Sequence, residues 1–370
     1  MLTKFDELTC HQVVGSFDSP ESTDRAWTEK LWCNIHDTKG RLVMATGMGV
    51  YPNRNVMDGY ACIQLDGRQH NVRLSRELRP RIDELEVGPL RWEVLEPYRR
   101  IRISLGENRF GVRFELTFLG RFQPGEEEPQ SKRSRGRLQV NTCRYSQLGR
   151  ACGWVEVGGE RIELDEEHHY AQRDHSWGIR MGVGAPEQGV QEPDIATFCA
   201  MMINWATIQL GDRALSLYLI ERADGGRELL TGQLLSRLDD PRPPVPIVGI
   251  EHTYRFHERS ARMQSGELHL SAADGTKLHL ELRELCTMYL RGGGYIGTKG
   301  YTHGLWMGPK WEDGEVWDLA GETGLADQVH GLDDTVCEVR EGAAVTGYGI
   351  MENLILPPFP RYGFPAARPR

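Results

Sequence analysis

The sequence predicts an all-β protein. Three observations carry this: short segments in which polar and apolar residues alternate, turn residues spaced regularly between them, and little sustained helical periodicity. Successive side chains of a strand point to opposite faces, so alternation marks a half-buried strand. Residues 99–105 set Ile101 and Ile103 against Arg100 and Arg102, and residues 113–118 set Phe114, Leu116 and Phe118 against polar partners. Residues 154–164 (WVEVGGERIEL) read as a hairpin about Gly158-Gly159. Residues 206–220 give two strands about Gly211-Asp212, and 252–257, 266–270 and 277–283 continue the series with Gly275 at a turn. Many short strands of this kind form barrels or sandwiches. Only 75–85 and 325–332 read as helix; Pro80 interrupts the first, and the second spans barely two turns.

A single core stops growing near about 250–300 residues. A chain of 370 residues is therefore expected to form two units, an N-terminal one at 1–170 and a C-terminal one at 171–370. The most linker-like stretch is 122–137, rich in Pro, Gly and mixed charge; 182–194 reads as a loop and 239–246 (DDPRPPVP) as a stiff connector. Residues 60–67 (YACIQLDG) echo 205–212 (WATIQLGD), as two related β units would.

Composition excludes several function classes. The net charge of −9 argues against a nucleic-acid surface. The one basic cluster (Lys132, Arg133, Arg135, Arg137) follows the acidic run 126–128 and reads as a solvated loop. No stretch of eighteen apolar residues predicts a membrane span, and the N-terminus lacks the apolar core of a secretory signal, so a cytoplasmic location is expected. The eight cysteines stand at no metal-knuckle or redox spacing and read as free thiols. His168 and His169, beside Glu166 and Glu167, would diverge on a strand, so no metal site is expected there. Gly292–294 is not followed by the Lys-Ser/Thr of a phosphate loop, and no Gly-x-Ser-x-Gly elbow supports hydrolase chemistry.

The segment richest in chemistry is 170–180 (YAQRDHSWGIR). On a strand, Arg173, His175 and Trp177 share one face, while Tyr170, Asp174 and Ser176 share the other. An ideal strand cannot aim both Asp174 and His175 into one cavity; either a bulge turns one of them, or one is structural and holds the other. In the functional reading His175 carries a proton and Trp177 lines an apolar pocket, its indole face steadying a developing cation. In the structural reading Asp174 bonds backbone, Trp177 fills a core and His175 is a satisfied histidine.

Residues 170–178 (YAQRDHSWG) resemble the DHxWG-type signature of the carotenoid 1,2-hydratase (hydroxyneurosporene synthase) and AttH-like superfamily. Two later elements are similar in kind: 204–225, an aromatic-rich strand leading through a Gly/Asp turn, and 339–354, a glycine-rich turn leading to a GYGxxE-like element. The resemblance spans roughly 154–356 and implies two consecutive lipocalin-like antiparallel β-barrels, with an apolar ligand held at or near their junction. It further implies a cofactor-independent hydratase or dehydratase, a lyase that protonates an alkene of an isoprenoid, terpenoid or steroid-like substrate and adds or removes water. Under it, His175 and Trp177 fall on the family's functional positions, and Asp174 is the adjacent acid or the group that orients His175. The family places a tyrosine and an acid on the following strand; Tyr218 and Glu221 lie nearby at a different spacing.

The expected substrate-binding set is therefore Tyr170, Trp205, Tyr218, Glu221, His303 and Trp306. His303 and Trp306 either face the same cavity from the other side or belong to a loop seated on the barrel. Trp205 reads equally as core, and Trp311 and Trp317 as aromatic positions of a surface hairpin. No cofactor and no metal are expected. The expected partner is a small hydrophobic molecule, with homo-oligomerisation left open. Two alternatives stand beside the lyase: a cyclase or isomerase of the same fold, and a carrier that binds a lipophilic ligand without turnover.

Overall fold

The computed structural model describes residues 1–9, 11, 13–191, 193–194, 198–258, 260–321 and 324–365. Two antiparallel sheets account for nearly all regular structure. The first is a fourteen-stranded, curled half-barrel. From one edge its main path runs Trp311–Asp318, Arg68–Glu77, Val56–Leu65, Leu42–Tyr51, Trp27–His36, Tyr170–Ile179 and Arg137–Val157, then Val112–Gly120, Arg100–Leu105, Leu90–Glu96 and Glu86–Val87. The second closes fully. Its eight strands are Met201–Leu210, Arg213–Arg222, Arg227–Leu235, Val245–Phe256, Met263–Ala272, Lys277–Tyr289, Asp333–Glu341 and Ala344–Leu356, the last pairing back onto the first. The all-β, lipocalin-like expectation therefore holds, with one unit open and one closed.

Several local expectations differ. Residues 75–85 form no helix: the strand Arg68–Glu77 continues through Leu74 and Ser75, which pair with Gly59 and Asp58. The helix expected at 325–332 is the short turn Leu325–Val329. The linker-like 122–137 contains two short strands, Gly125–Glu126 and Gln130–Ser134, both paired with Arg137–Val157. Trp311 and Trp317 sit on an edge strand of the first sheet, not in a surface hairpin. Arg73, fully buried, holds that strand by ion pairs with Asp313 and Glu315 and by donating to the Gly292 carbonyl.

The strand Tyr170–Ile179 lies inside the first sheet, between Trp27–His36 and Arg137–Val157. Tyr170–Ile179 is followed by the strands of the second sheet, except that Trp311–Asp318 returns to the edge of the first. The first sheet uses both faces. Its concave face carries Cys33, Ile35, Met44, Met57, Leu74, Phe114 and Phe118 into one apolar core. Its convex face sets Trp32, Tyr60 and Cys62 against Trp205, Met288, Val336 and Ile350 on the outside of the second barrel. Burying one such side chain fully stabilises by roughly 1.5–3 kcal/mol, so the junction is a true core rather than a loose contact.

Two glycines are required by close approach. Gly178 has φ +122°, and a Cβ there would meet the Asn141 carbonyl oxygen at 2.1 Å. Gly293 lies against the Tyr60 ring, which a Cβ would meet at 2.5 Å. The 292–294 run thus lets a short turn settle onto the convex face. No helix among the described residues is long and apolar enough to cross a membrane.

Candidate functional site

Pairing of Tyr170–Ile179 with both neighbours runs in unbroken register, so no bulge rotates the chain at 174–175. The strand therefore delivers its two chemical faces to two different places. His175 faces the hollow of the half-barrel, a cavity of about 910 Å³. Leu31, Met48, Val50, Trp92 and Ile101 form its apolar wall, and Phe17 of the N-terminal segment completes it. That volume lies within the range of about 300–1,000 Å³ usual for small-molecule sites.

A polar chain crosses this wall. His175 Nε2 lies 2.7 Å from Glu29 Oε1, and Nδ1 lies 3.4 Å from the Tyr145 hydroxyl. Arg173 donates to the Tyr145 oxygen at 3.2 Å and is anchored on Gln147 Oε1 at 2.7 Å. Because Arg173 can only donate, the Tyr145 hydroxyl accepts from it and is free to give its own proton to His175 Nδ1. His175 Nε2–H then points to the Glu29 carboxylate, the arrangement that fixes an imidazole's tautomer and stabilises the imidazolium if it forms. Trp177 meets the His175 ring edge to face at 5.5 Å and stays partly exposed. The sequence placed Arg173, His175 and Trp177 on one face; Glu29 and Tyr145 were missed. Tyr145 stands directly opposite His175 across the pairing of its strand, a register that no local sequence signal sets.

The other face points into the junction. Asp174 is buried, 3.6 Å from Arg144, and burial holds its carboxyl above the usual range. Arg144 in turn grips Glu127 at 2.6 Å, and Trp205 donates its indole N–H to the same carboxylate at 2.8 Å. Tyr218 lies under the Arg144 guanidinium at 4.8 Å. Further along, Lys30 donates to His303 Nδ1 at 2.6 Å while His303 Nε2 donates to the Gly293 carbonyl at 2.9 Å. Burial and the lysine hold His303 well below its ordinary pKa, so it is neutral. Burial brings Lys30 down to about 7 and lifts Glu352 to about 7. Asp58 is raised to about 6 by burial, although Tyr51 and the Gly304 N–H both donate to it.

The structure thus brings Asp174, Trp205, Tyr218 and His303 together at the junction and sets His175 at the open cavity, with Trp177 exposed beside the His175 ring but outside the cavity lining. The remaining expected residues join neither group. Glu221 is enclosed in the second barrel, paired with His252 at 3.3 Å and Arg361 at 2.8 Å. Tyr170 stacks under Arg150 at the far end of its strand. Trp306 is half exposed in a loop. Lys30, Asp58, Arg144 and Glu352 were all missed, because they come from four separate strands and become one cluster only when the sheets meet. His168 is paired with Asp165 at 2.9 Å rather than with a second histidine.

The fold has solved relatives. An AttH protein from Nitrosomonas europaea superposes with a TM-score of 0.54 at 12% identity, covering 90% of this chain and 93% of that one. CghA in complex with Sch210972 gives a TM-score of 0.50 at 10% identity over 90% and 89% of the two chains. Kievitone hydratase from Nectria haematococca gives 0.45 at 14% identity over 88% of each. At such identities the first two likenesses establish the fold alone, AttH-like and lipocalin-like. No curated protein matches the sequence. One family model matches residues 2–365, and the chain belongs to that family, the family of unknown function DUF8625.

Proposed function

We propose that this protein is a cofactor-independent lyase that adds water to, or removes it from, an apolar substrate held in the half-barrel cavity. The observation that carries the reading is the Glu29–His175–Tyr145–Arg173 chain, which sets one proton-transfer unit beside the apolar surface of Leu31, Met48, Val50, Trp92 and Ile101. The substrate class is an isoprenoid, terpenoid or steroid-like alkene or alcohol, matched to the cavity by size and polarity.

In the hydration direction, His175 protonated at both nitrogens keeps its Nε2–H on Glu29. The alkene, taking the place of the Tyr145 hydroxyl at Nδ1, receives the Nδ1 proton on one carbon and is left a cation on the other. Tyr145 and Trp92, both at the wall, present aromatic faces to that cation. Water adds to the cation and returns a proton to the neutral imidazole, so the enzyme is regenerated and the net change is one water. Glu29 stabilises the imidazolium before the transfer, and Tyr145 keeps the ring from turning. Dehydration runs the same steps backwards. Positioned proton transfer of this type contributes about 10²–10⁴-fold.

Beside the chain, a continuous apolar surface of Leu31, Met48, Val50, Trp92 and Ile101 favours one further reading: a cyclase or isomerase in which shape does the work. The test is incubation of the protein with a panel of isoprenoid alkenes and alcohols, followed by mass spectrometry, alongside Val50→Trp to fill the cavity. The lyase reading expects a mass change of one water that Val50→Trp abolishes. A product of unchanged mass favours the isomerase, and ligand recovered intact from the wild type would remove both enzyme readings.

A further inference from the structure

The outer wall of the second barrel carries a cluster unconnected with either face of the first sheet. His269 on Met263–Ala272 stands directly across from His279 on Lys277–Tyr289, their rings stacked with centroids 4.1 Å apart. Glu267, two residues before His269 and so on the same face, brings Oε2 to 4.0 Å from His269 Nε2 and 3.8 Å from His279 Nε2. All three side chains are about half exposed. Their ligand atoms lie within 4.8 Å of one another, the one such group of three found among the described residues.

We infer that Glu267, His269 and His279 form a binding site for a divalent first-row transition ion, Zn²⁺ in the first instance, which fastens the two strands together. Zinc takes imidazole nitrogen and carboxylate oxygen at about 2.0–2.2 Å in a tetrahedron, which puts neighbouring ligand atoms about 3.4 Å apart. The two Glu267–histidine spacings exceed this by roughly half an ångström and all three ligand atoms lie within 4.8 Å, gaps that half-exposed side chains close by rotation. Two imidazoles and a carboxylate are ligands of intermediate softness, suited to Zn²⁺, Cu²⁺ or Ni²⁺ rather than to Ca²⁺ or Mg²⁺.

A second observation points the same way. Register places Glu281 directly opposite Glu267, and Glu251 directly opposite His269. Like charges facing each other across a strand pair are destabilising. Arg340 faces Glu281 from its other side, so the negative charge next to the two imidazoles that a divalent ion would meet is that of Glu267 and Glu251. The fourth coordination position belongs to Glu281, Glu251 or water. Both histidines come from consecutive strands joined by the 273–276 turn, so a bound ion cross-links a single hairpin of the closed barrel, away from the cavity.

Untagged protein, stripped with chelator, is titrated with ZnCl₂ by calorimetry and with CoCl₂ by visible absorption. One equivalent binds tightly, and thermal unfolding shifts upward with Zn²⁺, since a ligand that binds only the folded state stabilises it. His269→Ala and His279→Ala each weaken binding by at least about tenfold and abolish the shift, Glu267→Gln weakens it less, and His168→Ala leaves it unchanged. Titration curves that the two histidine variants leave untouched would place the ion elsewhere and overturn the proposal, as would absence of binding at micromolar metal. Because all three groups are exposed, the variants fold; a far-ultraviolet spectrum matching wild type establishes that the loss is of the site alone.

Discussion

The two faces of the strand Tyr170–Ile179 use similar chemistry to opposite ends. On the concave side, His175 meets one carboxylate and one phenol at the edge of a cavity of about 910 Å³, where a substrate can reach them. On the convex side, Asp174 joins Arg144, Glu127, Lys30, Asp58 and Glu352, a denser set of ionisable groups closed between two apolar surfaces. Perturbed titration alone would nominate the convex side, since burial has moved Lys30, Asp58, Glu352 and Asp174 away from their ordinary values. Access decides otherwise. The opening nearest Arg144, Arg180 and Ser176 holds only about 50 Å³, room for water but not for a terpenoid. A charge cluster that seals an interface and an acid–base pair that faces a cavity are told apart by the space beside them.

The contrast gives variants that separate the faces. The largest effect belongs to His175→Ala, which lowers turnover about 10²–10⁴-fold while the free energy of urea unfolding changes by less than about 1 kcal/mol. Equal loss of turnover and of folding would merge the two faces. Arg144→Met acts the other way: it strands Glu127 and Asp174 without their cation and costs about 3–5 kcal/mol, read as a lower urea midpoint. Unchanged stability in that variant would mean that the junction charges do not hold the sheets together. Tyr145→Phe removes one hydrogen bond to His175 and slows turnover roughly tenfold, with KM near wild type.

The smallest effect is a slope. The Glu352 carboxyl is raised by burial from 4.5 to about 7, so between those values the folded protein keeps a proton that the unfolded chain has released. Stability therefore falls as pH rises through that window. Glu352→Gln carries no such proton, so its urea midpoint matches wild type at pH 4 and exceeds it at pH 7.5. Parallel midpoints across the range would remove Glu352 from the junction's energetics.

Alternation alone was enough to read much of this from the sequence. It separated Arg173, His175 and Trp177 from Asp174 and Ser176, and an unbroken strand then required two destinations. It also located the strands at 99–105, 113–118 and 154–164. What it could not supply was register. Tyr145 becomes His175's neighbour only through the pairing of Arg137–Val157 with Tyr170–Ile179, and Glu29 only through the strand on the other side. The junction was still less legible. Lys30 and His303 lie 273 residues apart, and Trp205, which read equally well as core, proved to be both core and the donor to Glu127. The edge strand Trp311–Asp318 misled for the same reason, since its partner lies in the other half of the chain.

The most direct test is a paired measurement on one substrate identified from the panel: dissociation constant and product formation for His175→Ala and Asp174→Asn. His175→Ala is expected to bind substrate as wild type does and form almost no product, while Asp174→Asn still turns over. Product formed by His175→Ala but lost in Asp174→Asn would contradict this and move the chemistry to the junction.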